Sequence, residues 1–173
     1  MVDLQQLHLV GHSFGAATIL LAAQRWLSST NRSIAPLTLT ALDAWNFPLS
    51  DEINGQGIPS TASIPILSII SEEWLTNPEV EPLKEFLKNS QAHCLLYSYY
   101  AKNSMHQSFS DTQSWMPTPI AVQNENRGPQ EDRHVTIRAS VEGFSKLTGI
   151  GQDNKESSLQ NHGIEALADF DMK

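Results

Sequence analysis

A serine stands at position 13 in the stretch Gly11-His12-Ser13-Phe14-Gly15, with the apolar run LHLV before it and the alanine-rich run AATILLAAQ after it. A serine hydroxyl is a weak nucleophile until a base accepts its proton and an acid orients that base. Between a strand and a helix, G-x-S-x-G is the pattern that sets such a serine on a sharp turn, its hydroxyl exposed at the start of the helix. The expectation for Gly11 and Gly15 is steric: side chains two residues before and after the serine would meet neighbouring backbone in so tight a turn. The chemistry suggested is nucleophilic attack by Ser13 Oγ.

A base and an acid must follow, and two residues stand where the chain could aim them. Asp43 comes directly after the apolar, β-branched run LTLTAL and before Ala44-Trp45, a setting that predicts a partly buried carboxylate in need of a partner. His106 lies in NSMHQSFSD, just past CLLYSY. Asp51, Glu52 and Asp111 are weaker rivals, placed in loops with no strand to direct them. His93 precedes its strand, His134 and His162 lie in polar segments, His8 alternates with apolar residues as a structural histidine would, and His12 is expected to pack beside the serine.

The elements that would carry these residues alternate in type. Leu7 to Val10, Leu37 to Leu42, Ile64 to Ile70 and Cys94 to Tyr99 read as strands. Ala16 to Leu27 reads as a helix, apolar nearly all round and therefore buried. Asn77 to Lys88 reads as a second helix, with an early proline, acids first and lysines last. Val135 to Leu147 and Ser157 to Phe170 are expected as later helices, and residues 122–134 as a polar linker inside a single domain spanning 1–173. Alternating strands and helices imply an α/β fold with a mostly parallel sheet flanked by helices. In such sheets reactive groups gather at the carboxyl ends of the strands, where Ser13, Asp43 and His106 are all expected.

Composition narrows the function. The 173 residues suffice for one domain with a core, and the formal net charge of -8 argues against nucleic acid as a partner. The single cysteine, Cys94, forms no internal disulfide and reads as a small buried hydrophobe. Histidines, acids and the cysteine fall at no metal-ligand spacing, and neither a metal nor another cofactor is expected. No apolar stretch is long enough to span a bilayer and the N-terminus lacks a signal-peptide pattern, so the expected compartment is the cytoplasm, with secretion left open.

Four segments together resemble the platelet-activating factor acetylhydrolases of the plasma and type II kind, which are calcium-independent phospholipases A2. They are GHSFGAAT (11–18), LDAWNFPL (42–49), ISEEW (70–74) and HQSFSD (106–111), in the family's order. The resemblance implies an α/β-hydrolase fold and hydrolysis of the short or oxidised sn-2 acyl chain of a glycerophospholipid. It implies Ser13 as nucleophile, Asp43 as acid and His106 as base. Phe14, next after the serine, supplies by position one backbone donor to the oxyanion. Trp115, Met116 and Ile120 follow the histidine segment and are candidates for contact with a lipid surface. Family members carry several strands before the elbow, so the sheet is expected to be truncated before the nucleophile strand, leaving an edge open to pairing. Two alternatives stand beside the esterase: a catalytically impaired fragment acting as a pairing module, and another α/β hydrolase such as a lipase or peptidase.

Overall fold

The computed structural model describes residues 7–29, 36–53, 56–92, 94–102, 104–110, most of 140–148 and the backbone of 164–166. Strands β1 (His8–His12), β2 (Thr38–Leu42), β3 (Ile66–Ser71) and β4 (Leu96–Ala101) lie side by side in chain order, all parallel. A short fifth strand, β5 (Ile164–Ala166), pairs antiparallel with β4. Helices α1 (Phe14–Ser28) and α4 (Glu81–Gln91) make the long crossovers, while α2 (Ser50–Ile53) and α3 (Glu72–Leu75) are single turns. Parallel neighbours need such crossovers, and their constant hand puts successive helices on one face when the strands run in order.

The period-2 alternation of the strands divides the core. Leu39 and Ala41 of β2 and Ile66 and Ile70 of β3 pack with Ala16, Leu20, Ala23 and Leu27 of α1 and with Leu83, Phe86 and Leu87 of α4. The opposite face carries Leu67, Ile69 and Ala101, packed against Phe109 and Leu147. Residues 140–141, 143–145 and 147–148 are helical, within the Val135 to Leu147 span expected to be a helix and one residue past its end. Gly143 lets this segment lie close to the sheet, since an added Cβ would stand 3.0 Å from Leu67 Cδ2. β3, covered on both sides, is buried along its whole length, which is why ILSIIS shows no alternation of apolar and charged residues.

Three expectations are corrected. Ser157 to Phe170 was expected to be helical, but Ile164–Ala166 is strand. Its register against Tyr99, Tyr100 and Ala101 satisfies the free edge of β4, a long-range pairing that local periodicity does not encode. The helix expected over Asn77 to Lys88 is two pieces, a 3₁₀ turn at Pro78–Val80 and then α4, whose start at Glu81 is favoured by Pro82 in its first turn. Helix α1 is not buried all round: Phe14, Thr18, Ala22 and Arg25 form an exposed stripe at spacings of three and four residues. The linker 122–134 and Trp115, Met116 and Ile120 lie outside the described residues, as do Asp111, His93, His134 and His162.

Candidate active site

Because β1 to β4 are parallel, their carboxyl ends share one rim, and each candidate residue stands on it. Ser13 occupies the single-residue turn between β1 and α1, with φ 58° and ψ -128°. That region is sterically costly for any residue with a Cβ, on the order of 1–3 kcal/mol. The turn is held by main-chain bonds on both sides. Ser13 N–H donates to Leu42 O at 3.0 Å, and Ser13 O accepts from Ala16, Ala17 and Trp45 N–H at 3.1, 3.2 and 3.1 Å. Gly11 is required by contact: a Cβ there would lie 2.5 Å from Gly15 O and 2.7 Å from Ala16 N. The steric reason expected at Gly15 is absent, for a Cβ there meets nothing within 4 Å among the described residues. Gly11→Ala should therefore lower stability by about 2–3 kcal/mol through overpacking. Gly15→Ala should be neutral or stabilising by up to about 1 kcal/mol, alanine being the better helix former. Thermal denaturation of both variants checks the contrast.

Asp43 follows β2 with φ 46° and is fully buried, at 0% exposure. Its backbone N–H donates to Ile69 O at 2.7 Å. Its Oδ1 accepts from Ser71 N–H at 2.7 Å, and its Oδ2 from Ser71 Oγ at 2.7 Å and from His106 Nδ1 at 2.8 Å. The carboxylate is thus paid for in hydrogen bonds rather than hydration, as a buried charge must be. Ser71 closes β3 and caps α3 by accepting from Trp74 N–H at 3.2 Å.

His106 heads a 3₁₀ turn, His106–Phe109, beyond β4. Its Nε2 lies 2.7 Å from Ser13 Oγ. With Nδ1–H donated to Asp43, the Nε2 lone pair is left to accept the serine proton; the tautomer follows from the partners. The ring stacks on Trp74 with centroids 5.0 Å apart and lies 4.9 Å from the ring of His12. Phe14 N–H is among the first N–H groups of α1, which have no acceptor within the helix and face an anion-favouring helix start.

Several neighbours of the three residues carry no local sequence pattern of their own. Ser71, Glu73 and Trp74 lie in ISEEW, a segment legible only as part of a resemblance. Glu73 Oε2 accepts from His106 N–H at 3.1 Å. His12 does pack beside the serine turn, and its Nε2 also lies 2.9 Å from His106 O. Burial holds its pKa below the ordinary histidine value of 6.5. His8 Nδ1 pairs with Thr38 Oγ1 at 2.9 Å across β1 and β2, a structural contact. Asp51 and Glu52 are exposed on α2. Cys94 is buried and its thiol pKa is pushed up by that burial. Among the described residues no three histidine, cysteine or acidic side chains group as a metal site, and no helix is long and apolar enough to cross a membrane.

A ferulic acid esterase from Streptomyces cinnamoneus superposes with a TM-score of 0.60 at 17% identity, over 96% of this chain and 48% of that one, which shows a shared α/β-hydrolase fold. A platelet-activating factor acetylhydrolase from Gallus gallus is 30% identical over 110 residues, 64% of this chain and 23% of that protein. Those of Canis lupus familiaris and Bos taurus are each 31% identical, over 64% of this chain and 21% of theirs. The match therefore takes in less than a quarter of each relative's length. The sequence profile of platelet-activating factor acetylhydrolase, isoform II, matches residues 1–166, and the chain belongs to that family.

Proposed function

We propose that this chain carries the nucleophile, base and acid of a serine esterase that cleaves the short or oxidised sn-2 acyl chain of glycerophospholipids. The observation that carries the reading is the unbroken line from Asp43 Oδ2 through His106 to Ser13 Oγ, at 2.8 and 2.7 Å. In this mechanism Ser13 Oγ attacks the ester carbonyl while His106 Nε2 takes its proton. Asp43 holds the imidazole and offsets the charge it gains. Phe14 N–H stabilises the oxyanion. His106 then protonates the departing glycerol oxygen, leaving an acyl-Ser13. Water, deprotonated by the same histidine, releases the carboxylic acid and restores the serine. Family membership supports a phospholipid ester over a peptide.

The test uses the intact protein on phosphatidylcholines that differ only at sn-2. Acetyl and oxidatively shortened chains should turn over at least about tenfold faster than palmitoyl, a selectivity that steric exclusion of additional methylenes from the acyl site can supply. Equal rates on long chains, or faster cleavage of a peptide amide, would favour the lipase or peptidase alternatives.

A second reading rests on the edge of the sheet. Among the described residues β1 pairs only with β2, and Val10 on it is 51% exposed. An open apolar edge suits pairing with another strand, the behaviour expected of a non-catalytic docking module. Concentration-dependent association of a Ser13→Ala variant, with no labelling of the parent by a fluorophosphonate, would favour it.

A further inference from the structure

His106 differs from Ser13 and Asp43 in how its backbone is held. Ser13 and Asp43 both continue the sheet's main-chain ladder, through Leu42 O and Ile69 O. His106 lies beyond β4, at the head of one 3₁₀ turn. That turn is closed by Ser108 N–H to Met105 O at 2.9 Å, Ser110 N–H to Gln107 O at 3.1 Å and Met105 N–H to Ser108 Oγ at 3.0 Å. The turn engages the His106 carbonyl from within, as 3₁₀ bonding does, but as its first residue His106 has no acceptor for its N–H inside it. Its N–H goes to Glu73 Oε2 at 3.1 Å and its C=O to His12 Nε2 at 2.9 Å. Glu73 belongs to α3, after β3, and His12 is the last residue of β1.

We propose that His12 and Glu73 are positioning residues: together they clamp the peptide groups on either side of His106 and so set the distance from its imidazole to Ser13. The inference rests on the reading of His106 as the base. Glu73 N–H also reaches Ser104 O at 3.3 Å, two residues before His106, but the bonds to the His106 peptide groups from outside its turn come from these two side chains. The orientation matters because a base misplaced by about 1 Å can lose on the order of a hundredfold in rate. His12 must present Nε2–H to the carbonyl, and the neutral imidazole does so. Neutrality also avoids setting a second cation against His106 when it is protonated during turnover. Burial, the largest influence on His12, favours that neutral form.

The experiment compares a donor-free variant with a donor-keeping one at each position in the intact protein. His12→Phe keeps a ring against His106 and loses the donor; His12→Gln keeps an N–H at similar reach. Glu73→Ala loses the acceptor; Glu73→Gln keeps one. The expected result is a fall of about tenfold in kcat for His12→Phe and for Glu73→Ala, with KM little changed, as one lost hydrogen bond would give. His12→Gln and Glu73→Gln should recover to within about threefold of the parent. The double variant His12→Phe/Glu73→Ala should lose less than the product of the single losses, because both act on one residue. Unchanged kcat in the donor-free variants, or losses that the conservative variants fail to repair, would overturn the clamp. If His12→Phe does not fold, the exposed Glu73 pair decides the question alone. Ser13→Ala and His106→Ala run alongside. If they retain turnover, the catalytic reading has failed; if they abolish it while the clamp variants do not lower kcat, the clamp alone has failed.

Discussion

Replacing Ser13 by alanine should reduce ester hydrolysis to background, a loss of about 10⁵–10⁶ in kcat, the scale found when a triad serine is removed elsewhere. The size follows from what is lost. No other hydroxyl of the described residues stands hydrogen-bonded to His106 Nε2, so no neighbour inherits the role. The variant should fold, because the loop bonds run through the Ser13 backbone and alanine keeps them. Labelling by a fluorophosphonate should vanish with the activity. Ser13→Gly offers a control on the turn itself: equally inactive, it should be more stable than Ser13→Ala by about 1 kcal/mol, since only glycine is at ease at such a φ. Activity above about 1% of the parent, or labelling at another residue, would remove Ser13 from the mechanism, for no partial loss of this kind is compatible with a missing nucleophile.

Asp43→Asn should be the next most damaging change, with kcat lower by about 10⁴ and KM little altered, the pattern seen when a triad acid becomes an amide. The environment of this carboxylate explains why. It accepts three hydrogen bonds and gives none, at 0% exposure. An asparagine brings one oxygen and one NH₂ to the same partners. If the NH₂ faces His106, the imidazole must present a lone pair at Nδ1 and carry its proton on Nε2, where it cannot accept from Ser13. If the oxygen faces His106, the NH₂ is set against the Ser71 backbone N–H, a donor against a donor in a dry site. Steady-state kinetics with circular dichroism on the same sample separates lost turnover from lost fold. A fall below about tenfold would show that another acid orients the histidine.

The four parallel strands and the three candidate residues were legible because each lies in a local pattern. LHLV, LTLTAL and IPILSII are apolar runs ended by a polar or glycine residue, and a strand's carboxyl end is where such a sheet exposes its loops. What escaped depends on contacts far apart in the chain. β5 exists because Ala101 and its neighbours had an unpaired edge, and nothing in NHGIEAL announces that. The bond from His12 to His106 spans 94 positions and that from Glu73 spans 33, beyond any sequence period. Gly15 shows the opposite error: the motif suggested a steric need that its surroundings among the described residues do not impose.

The crosswise main-chain bonds at the two turns have a mechanical consequence. Ser13 and Asp43 ride on one rigid body, since Ser13 N–H reaches Leu42 O and Trp45 N–H reaches back to Ser13 O. The histidine rides on a short loop whose opening costs far less than unfolding the sheet, as loops in general open below the global free energy. If the proposed triad operates, heat should therefore stop ester hydrolysis while the fold is still intact, and cooling should restore it. Turnover would then act as a thermometer for one loop rather than for the protein.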